Sequence, residues 1–196
     1  MIIGITGGTG CGKTTMLRLI QELGGVVLDC DAIYHELLQR NKALLGAIED
    51  RFPGTVQEGT LDRKKLGAIV FSDETALKDL NRITHGAVKK EVQRILQDNP
   101  GKLTAIDAIG LFEGGLAELC HVTVAVTAPE ELRIARLMAR DGIPEEYAAL
   151  RIRAQRSQEE FSQLCHHTLC NDGTEADFRA KCLAFFTDLG IMKAES

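Results

Sequence analysis

The chain has 196 residues, of which 44% are hydrophobic and 26% charged, so we expect one globular domain with a proper core. Its net charge of −5 argues against broad binding to nucleic acid or to anionic membranes. The sequence shows neither a basic segment followed by a secretory apolar core nor an apolar run near the roughly 18 residues of a membrane span. We therefore expect a cytoplasmic protein whose six cysteines are free thiols.

The first predicted strand, residues 2–6, leads directly into a glycine-rich segment. This segment, Gly7-Gly-Thr-Gly-Cys-Gly12-Lys13-Thr14, fits the phosphate-binding pattern G-x-x-x-x-G-K-[ST]. Its glycines let successive N–H groups point at one anion, and a helix predicted from Lys13 to Leu23 adds its positive end. The alternative is a plain glycine-rich turn, but the strand before and the helix after favour a nucleoside triphosphate site. There we expect Lys13 to reach the β- and γ-phosphates and Thr14 to ligate Mg²⁺.

A second predicted strand, residues 26–28, is followed by two carboxylates, Asp29 and Asp31. Ligands of open α/β sheets bind beyond the carboxyl ends of the strands. A carboxylate there can take a proton from an acceptor hydroxyl or hold a Mg²⁺-bound water. We favour Asp31 over Asp29, since the two alternate along an extended segment. The alternative is that Asp31 only caps the helix that begins at Ala32.

The segment between the second and third strands is predicted to be wholly helical. Its apolar face from Leu77 to Leu96 predicts one long helix capped by Ser72 or Asp73. Such a crossover is longer than two parallel strands require, so we interpret residues 32–100 as an inserted acceptor-binding subdomain.

The remaining signals complete an α/β pattern of strands alternating with helices. Three more strands are predicted at residues 103–106, 121–127 and 168–170, and a last helix at 175–189. We therefore predict a three-layer P-loop NTPase fold with a five-stranded parallel sheet. A single domain, residues 1–196, would carry the insert and a lid at about residues 136–156.

Three arginines follow the fourth strand at helical spacing, namely Arg133, Arg136 and Arg140. Phosphoryl transfer spreads negative charge over the moving oxygens, so arginines that close over the site are expected stabilisers. The alternative is a solvated basic helix face. In the insert, Arg63 and Lys64 form a second candidate anion site.

Other patterns favour other chemistry less well. Asp107-Ala-Ile-Gly110 imitates the D-x-x-G of GTPases, but the guanine-binding N-K-x-D is missing, because Asn41-Lys42 is followed by Ala43-Leu44. Cys165-His166-His167-x-x-Cys170 has zinc-ligand residue types without a C-x-x-C pair, so packing or surface is favoured over a metal. Cys11 lies inside the phosphate loop, where Lys13 and the helix dipole are expected to lower its pKa.

Taken together, the residues resemble the dephospho-coenzyme A kinases, a P-loop family related to the nucleoside monophosphate kinases. The matching pieces are Ile5 to Thr15, Leu28 to Ile33, Gly59 to Arg63, Ile69 to Phe71, Leu80-Asn81, His85, Leu111 to Glu113, Pro129 to Asp141, Ala154-Gln155 and Asn171.

The resemblance implies transfer of the γ-phosphate of ATP to the ribose 3′-hydroxyl of dephospho-CoA, the final step of coenzyme A synthesis. Asp31 would be the general base, oriented by Thr6, and Arg140 would stabilise the transferring group. On the acceptor side, Asp31 would be joined by Arg63, His85 and Glu113. The residues implied to bind ATP are Gly8, Thr9, Gly10, Cys11, Gly12, Lys13, Thr14, Thr15, Arg136 and Arg140, with Mg²⁺ at Thr14.

Two other functions compete with this one. One is a different small-molecule or nucleotide kinase of the same fold, and the other is a non-catalytic ATP-binding regulator. The presence of Lys13, Thr14, Asp31 and Arg140 together argues against the regulator, because a binding module needs neither a base nor a lid arginine.

Overall fold

The computed structural model describes residues 1–192. In chain order, its elements are β1 (Ile2–Thr6), α1 (Lys13–Glu22), β2 (Val26–Asp29), α2 (Cys30–Arg40), α3 (Lys42–Arg51), β3 (Val56–Gln57), β4 (Thr60–Leu61), α4 (Arg63–Val70), α5 (Glu74–Asp98), β5 (Thr104–Asp107), a 3₁₀ helix (Ala117–Leu119), β6 (Val122–Thr127), α6 (Glu130–Asp141), α7 (Glu145–Arg153), α8 (Gln158–Leu164), β7 (His167–Cys170) and α9 (Glu175–Asp188).

The main sheet has five strands in the order β2-β5-β1-β6-β7. Strand β1 pairs in parallel with β5 on one side and with β6 on the other, and β6 pairs in parallel with β7. The predicted five-stranded parallel sheet is therefore confirmed, and each of its strand ends lies within one residue of the predicted one.

The predicted insert is not wholly helical, and this expectation was wrong. Strands β3 and β4 form an antiparallel hairpin between α3 and α4. Its turn is made by Glu58 and Gly59, which both have positive φ (50° and 77°). The Glu49 carboxylate accepts hydrogen bonds from the N–H groups of Gly54 and Val56, which holds the loop that enters the hairpin.

Polar caps decide where the helices of this region begin. Asn41 ends α2 and its side chain accepts from the N–H of Leu44, so a new helix starts there instead of a continuation. The cap of α5 is Asp73, which accepts from Thr75 and Ala76. Ser72 instead donates its hydroxyl back to carbonyls of α4, so the second of the two predicted caps is the one used.

The chain forms two compact units. Unit 1 comprises residues 1–27, 101–111 and 120 onward, and unit 2 comprises residues 28–100 and 112–119. In unit 1, apolar side chains of β1, β6, α1 and α9 form one core, in which Ile5, Val124 and Phe186 are fully buried. A smaller cluster joins α6 to α7.

Unit 2 is built on the long helix α5, against which α2, α3 and α4 pack. Buried leucines such as Leu38, Leu44 and Leu66 supply its interior. In the same unit, Lys89 of α5 forms an ion pair with Glu118 (Nζ–Oε2 2.6 Å), so the short segment 112–119 is tied to α5. Within residues 1–192, no helix combines the length and apolarity needed to cross a membrane.

Candidate active site

The glycine-rich loop adopts a backbone that ordinary residues avoid. Gly7, Gly10 and Gly12 have φ values of 137°, 77° and 94°. Gly12 is the N-cap of α1 and gives it no side-chain hydrogen bond, so the first N–H groups of the helix are left for another partner. The ammonium of Lys13 lies on the loop itself, 2.9 Å from the Gly7 carbonyl oxygen. This arrangement suits an anion.

Neighbouring atoms approach the loop so closely that side chains there would collide. A Cβ built on Gly7 would lie 2.2 Å from the Val126 carbonyl oxygen, and one on Gly12 would lie 2.1 Å from Nδ2 of Asn171. The glycines are therefore needed for space as well as for conformation.

Four side chains from the second half of the chain are tied to the loop, three of them by hydrogen bonds to its carbonyl groups and one by a hydrogen bond from its backbone N–H. Arg133 donates from Nε to the Thr9 carbonyl (2.9 Å), and Arg136 donates to the Gly10 carbonyl (3.3 Å). Asn171 donates to the Cys11 carbonyl (3.0 Å) and accepts from Arg136 (3.1 Å). Gln155 accepts from the Thr9 N–H at 2.7 Å. We call these four residues the loop belt.

Sequence reasoning found the loop belt only in part. Arg136, which was predicted to bind ATP, lies at the loop and donates to the Gly10 carbonyl. Gln155 and Asn171 lie in motifs that match the family, but no role was predicted for them. A polar residue directly after a strand, as Asn171 follows β7, is the signal that was available.

Thr14 and Thr15 occupy the first turn of α1, and Thr14 is exposed. A hydroxyl at this position with no competing hydrogen bond within residues 1–192 fits a Mg²⁺ ligand, since Mg²⁺ prefers oxygen donors.

The Cys11 thiol differs from the prediction. It is 1% exposed, and burial raises its pKa above the ordinary value even though Lys13 and Arg133 oppose the rise. The expectation of a lowered pKa was therefore wrong, because loss of hydration outweighs the nearby positive charges.

Arg140 lies at the end of α6 and is held by its neighbour. Its guanidinium donates to both carboxylate oxygens of Asp141, at 2.7 and 3.0 Å, and Arg151 of α7 donates to the same carboxylate at 2.6 Å. The two arginines lower the pKa of Asp141 to about 2. We call Arg140, Asp141 and Arg151 the lid triad.

Thr6 closes β1 and is fully buried. Its hydroxyl donates to the Ile109 carbonyl at 3.3 Å, and this contact fixes the segment after β5.

At the end of β2 the two carboxylates have different tasks. Asp29 is the N-cap of α2, and its Oδ1 accepts from the N–H groups of Asp31 and Ala32 at 3.0 Å. The side chain of Asp31 is exposed in the first turn of α2, and no residue of the range 1–192 forms a hydrogen bond or ion pair with its carboxylate. The cap is therefore Asp29, and the interpretation of Asp31 as a mere cap is wrong.

The other predicted acceptor residues all belong to unit 2 with Asp31. Arg63 begins α4 and is exposed, His85 is half-buried on α5, and Glu113 is exposed in the segment 112–119. Arg63 lies close enough to Tyr34 to oppose the rise that burial causes in the pKa of that phenol. Tyr34 is one helical turn beyond Asp31, so Arg63 lies near the first turns of α2.

The cysteine–histidine cluster is held by ordinary packing contacts. His166 accepts at Nδ1 from the backbone N–H of Thr123 (3.0 Å), which joins the entry of β7 to β6. Burial raises the pKa of the Cys165 thiol, and no group of three or more His, Cys, Asp or Glu side chains in residues 1–192 is arranged to hold a metal.

Comparison with known proteins adds an independent finding. The dephospho-CoA kinase family model matches residues 1–177. A dephospho-CoA kinase of Thermobifida fusca is 35% identical over 190 residues, covering 95% of both chains. A solved structure from Thermus thermophilus superimposes with a TM-score of 0.78 at 35% identity, covering 96% of this chain and 97% of that one. The dephospho-CoA kinase of Campylobacter jejuni gives a TM-score of 0.66 at 27% identity, covering 97% and 98%.

Proposed function

The chain belongs to the dephospho-CoA kinase family, a family of ATP-dependent phosphotransferases, and we propose which of its residues transfer the γ-phosphate to the ribose 3′-hydroxyl of dephospho-CoA. In this proposal the loop holds the donor phosphates, Asp31 activates the acceptor, and Arg140 stabilises the phosphoryl group in transit. The family predicted from the sequence is confirmed by the family model and the relatives, while the residue roles are our assignment.

The observation that carries the assignment is the unpartnered carboxylate of Asp31. A general base must be able to accept a proton, and a carboxylate already held by N–H donors or cations is a poorer acceptor. Asp29 is committed to the cap of α2, whereas Asp31 has no partner in residues 1–192. We therefore assign the base to Asp31.

In the proposed step, Asp31 takes the proton of the 3′-hydroxyl as the oxygen attacks the γ-phosphorus. The bond between that phosphorus and the β–γ bridging oxygen breaks, and ADP leaves. Lys13 and the first N–H groups of α1 stabilise the charge on the phosphates. Mg²⁺ held by Thr14 would neutralise charge on the β- and γ-oxygens.

Arg140 must leave the Asp141 carboxylate to bind the phosphoryl group during transfer. The Arg140 side chain is 60% exposed, so solvent screens its ion pair with Asp141, and that carboxylate keeps Arg151 as a second partner. A transferring phosphoryl group, with more negative charge than one carboxylate, can therefore compete for the guanidinium. We also propose that the enzyme works in the cytoplasm on these small molecules, without nucleic acid or membrane partners, which its negative charge supports.

The acceptor is tested by measuring ADP release from ATP with dephospho-CoA and, in parallel, with a panel of nucleoside monophosphates. We expect turnover with dephospho-CoA only. Turnover with a monophosphate alone would show that the protein is a different kinase of the same fold. The absence of any acceptor-dependent ADP release would contradict the enzyme assignment.

The base is tested by a matched pair of substitutions, Asp31→Asn and Asp29→Asn. Asp31→Asn should lower kcat by about 10²–10⁴-fold with nearly unchanged ATP affinity, because a positioned base contributes that much. Asp29→Asn should stay close to wild type, since Asn caps a helix about as well as Asp. Equal losses in the two variants would contradict the assignment.

A further inference from the structure

Among the loop-belt residues, Arg133 is the one whose side chain has a buried nitrogen without a hydrogen-bond partner in residues 1–192. The residue is 3% exposed, and its side chain forms a hydrogen bond from Nε to the Thr9 carbonyl. Its Nη2 atom is buried and makes no hydrogen bond. A Cβ built on Gly8 would lie 2.3 Å from that atom, so the unpartnered end of the side chain lies directly against the loop.

Burying a charged nitrogen without a hydrogen-bond partner lowers the free energy of unfolding. Arginine stays protonated in proteins, so it cannot escape the cost by losing its proton. Glu130, at the start of the same helix, helps by charge alone, and burial still lowers the pKa of Arg133. Helix α6 packs closely against the loop at this point, since a Cβ on Gly10 would lie 2.8 Å from the Arg133 carbonyl oxygen. The site therefore has a fixed positive charge that lacks a counter-anion.

We propose that Arg133 is a positioning residue for the polyphosphate of the donor. Through Nε it holds the Thr9 carbonyl of the loop, and its buried charge next to Gly8 is balanced when a polyphosphate binds. The inference rests on the ATP use of the family and adds a residue that no loop motif contains. It also implies that the charge of Arg133 lowers stability without nucleotide and raises affinity for it.

The test uses the full chain and three variants, with ATP and inorganic tripolyphosphate as probes and no acceptor. Arg133→Gln keeps an N–H donor for the Thr9 carbonyl but removes the charge, and Arg133→Lys keeps the charge. Arg18→Gln is the matched control, because Arg18 lies on α1 with its side chain 65% exposed. Kd is measured by calorimetry, and the melting midpoint is measured with and without each probe.

Arg133→Gln should weaken binding of both probes by about tenfold, because a positive charge that favours the bound polyphosphate is lost and solvent screens part of its effect. Its melting midpoint without probe should equal or exceed that of wild type. Arg133→Lys should recover most of the lost affinity, and Arg18→Gln should bind as wild type does.

Three outcomes overturn the inference. They are wild-type affinity in Arg133→Gln, a lower melting midpoint of that variant without probe, and no recovery with Lys. If wild type binds ATP and Arg133→Gln binds it equally well, only this inference is overturned. A wild-type chain that does not bind ATP removes the proposed function as well.

Discussion

Gly12 needs to be glycine for two separate reasons. Its φ of 94° is a conformation that other residues adopt only with strain, and the side-chain amide of Asn171 occupies the place of its missing Cβ. Gly24, directly after α1, shares the first reason without the second, because its φ is 77° and nothing lies within 4 Å of a built Cβ.

Alanine at the two positions should therefore have different effects. Both variants should lose about 1–2 kcal/mol of unfolding free energy from backbone strain. Gly12→Ala should lose more, and should also lose ATP affinity, because Asn171 has to move away from the Cys11 carbonyl. Urea unfolding and calorimetry with ATP measure the two effects. ATP affinity retained in Gly12→Ala would show that the contact with Asn171 is dispensable.

Among single residues, the sequence predicts best those site residues that are neighbours in the chain. The spacing of Gly7 to Thr14 was sufficient to predict the loop, since each residue acts through its immediate neighbours. Asp31 was favoured over Asp29 from the sequence, but whether Asp31 only caps the helix was left open, because two carboxylates separated by one residue have the same cap preference. Only the hydrogen bonds to Oδ1 of Asp29 separate them.

Among the elements, α6 and α7 are joined at the lid triad. Asp141 accepts from arginines on both helices, and each donor holds its carboxylate in the charged form. The pKa of Asp141 falls from 3.8 to about 2, so the folded protein binds this proton less tightly than the unfolded chain does. The stabilisation from the triad is therefore complete above about pH 4 and is lost as the pH falls towards 2.

This pH dependence can be measured with Asp141→Asn. Wild type should melt at a higher temperature than the variant at pH 6, and the difference should shrink as the pH falls from 4 to 2. Arg18→Gln serves as the comparison, since it removes an exposed ion pair elsewhere. A difference that stays constant over this range would show that Asp141 does not act through its charge.

The hairpin of β3 and β4 shows why an element was missed. Each of its strands has two residues, too few for an alternating pattern to be visible. Gly54 and Gly59 have positive φ and mark turns, but no turn was predicted there. The long helix α5 was predicted correctly, because its apolar face repeats over several turns.

At the scale of the molecule, the predicted donor and acceptor residues fall into different units. The loop, Arg136 and Arg140 belong to unit 1, whereas Asp31, Arg63, His85 and Glu113 belong to unit 2. If the proposed roles are correct, substitutions in one unit should affect one substrate selectively.

Arg63→Ala should raise KM for dephospho-CoA by about tenfold and leave ATP affinity unchanged, as expected for loss of one hydrogen bond from a charged group. Lys13→Ala should do the reverse and weaken ATP binding. The neighbouring Lys64→Ala controls for general loss of positive charge at the start of α4. If Lys64→Ala raised KM for dephospho-CoA equally, Arg63 would act only by general electrostatic attraction of the substrate.

The loop belt has a consequence for how the protein is made. The hydrogen bonds from Arg133 to Thr9 and from Asn171 to Cys11 join residues 124 and 160 positions apart. Contacts of such separation form late in folding, because a long loop must first be closed, and synthesis delivers the N-terminal residues first. A growing chain thus contains its whole phosphate-binding motif long before the side chains that shape it exist. Nucleotide binding would then report that the last strand is in place.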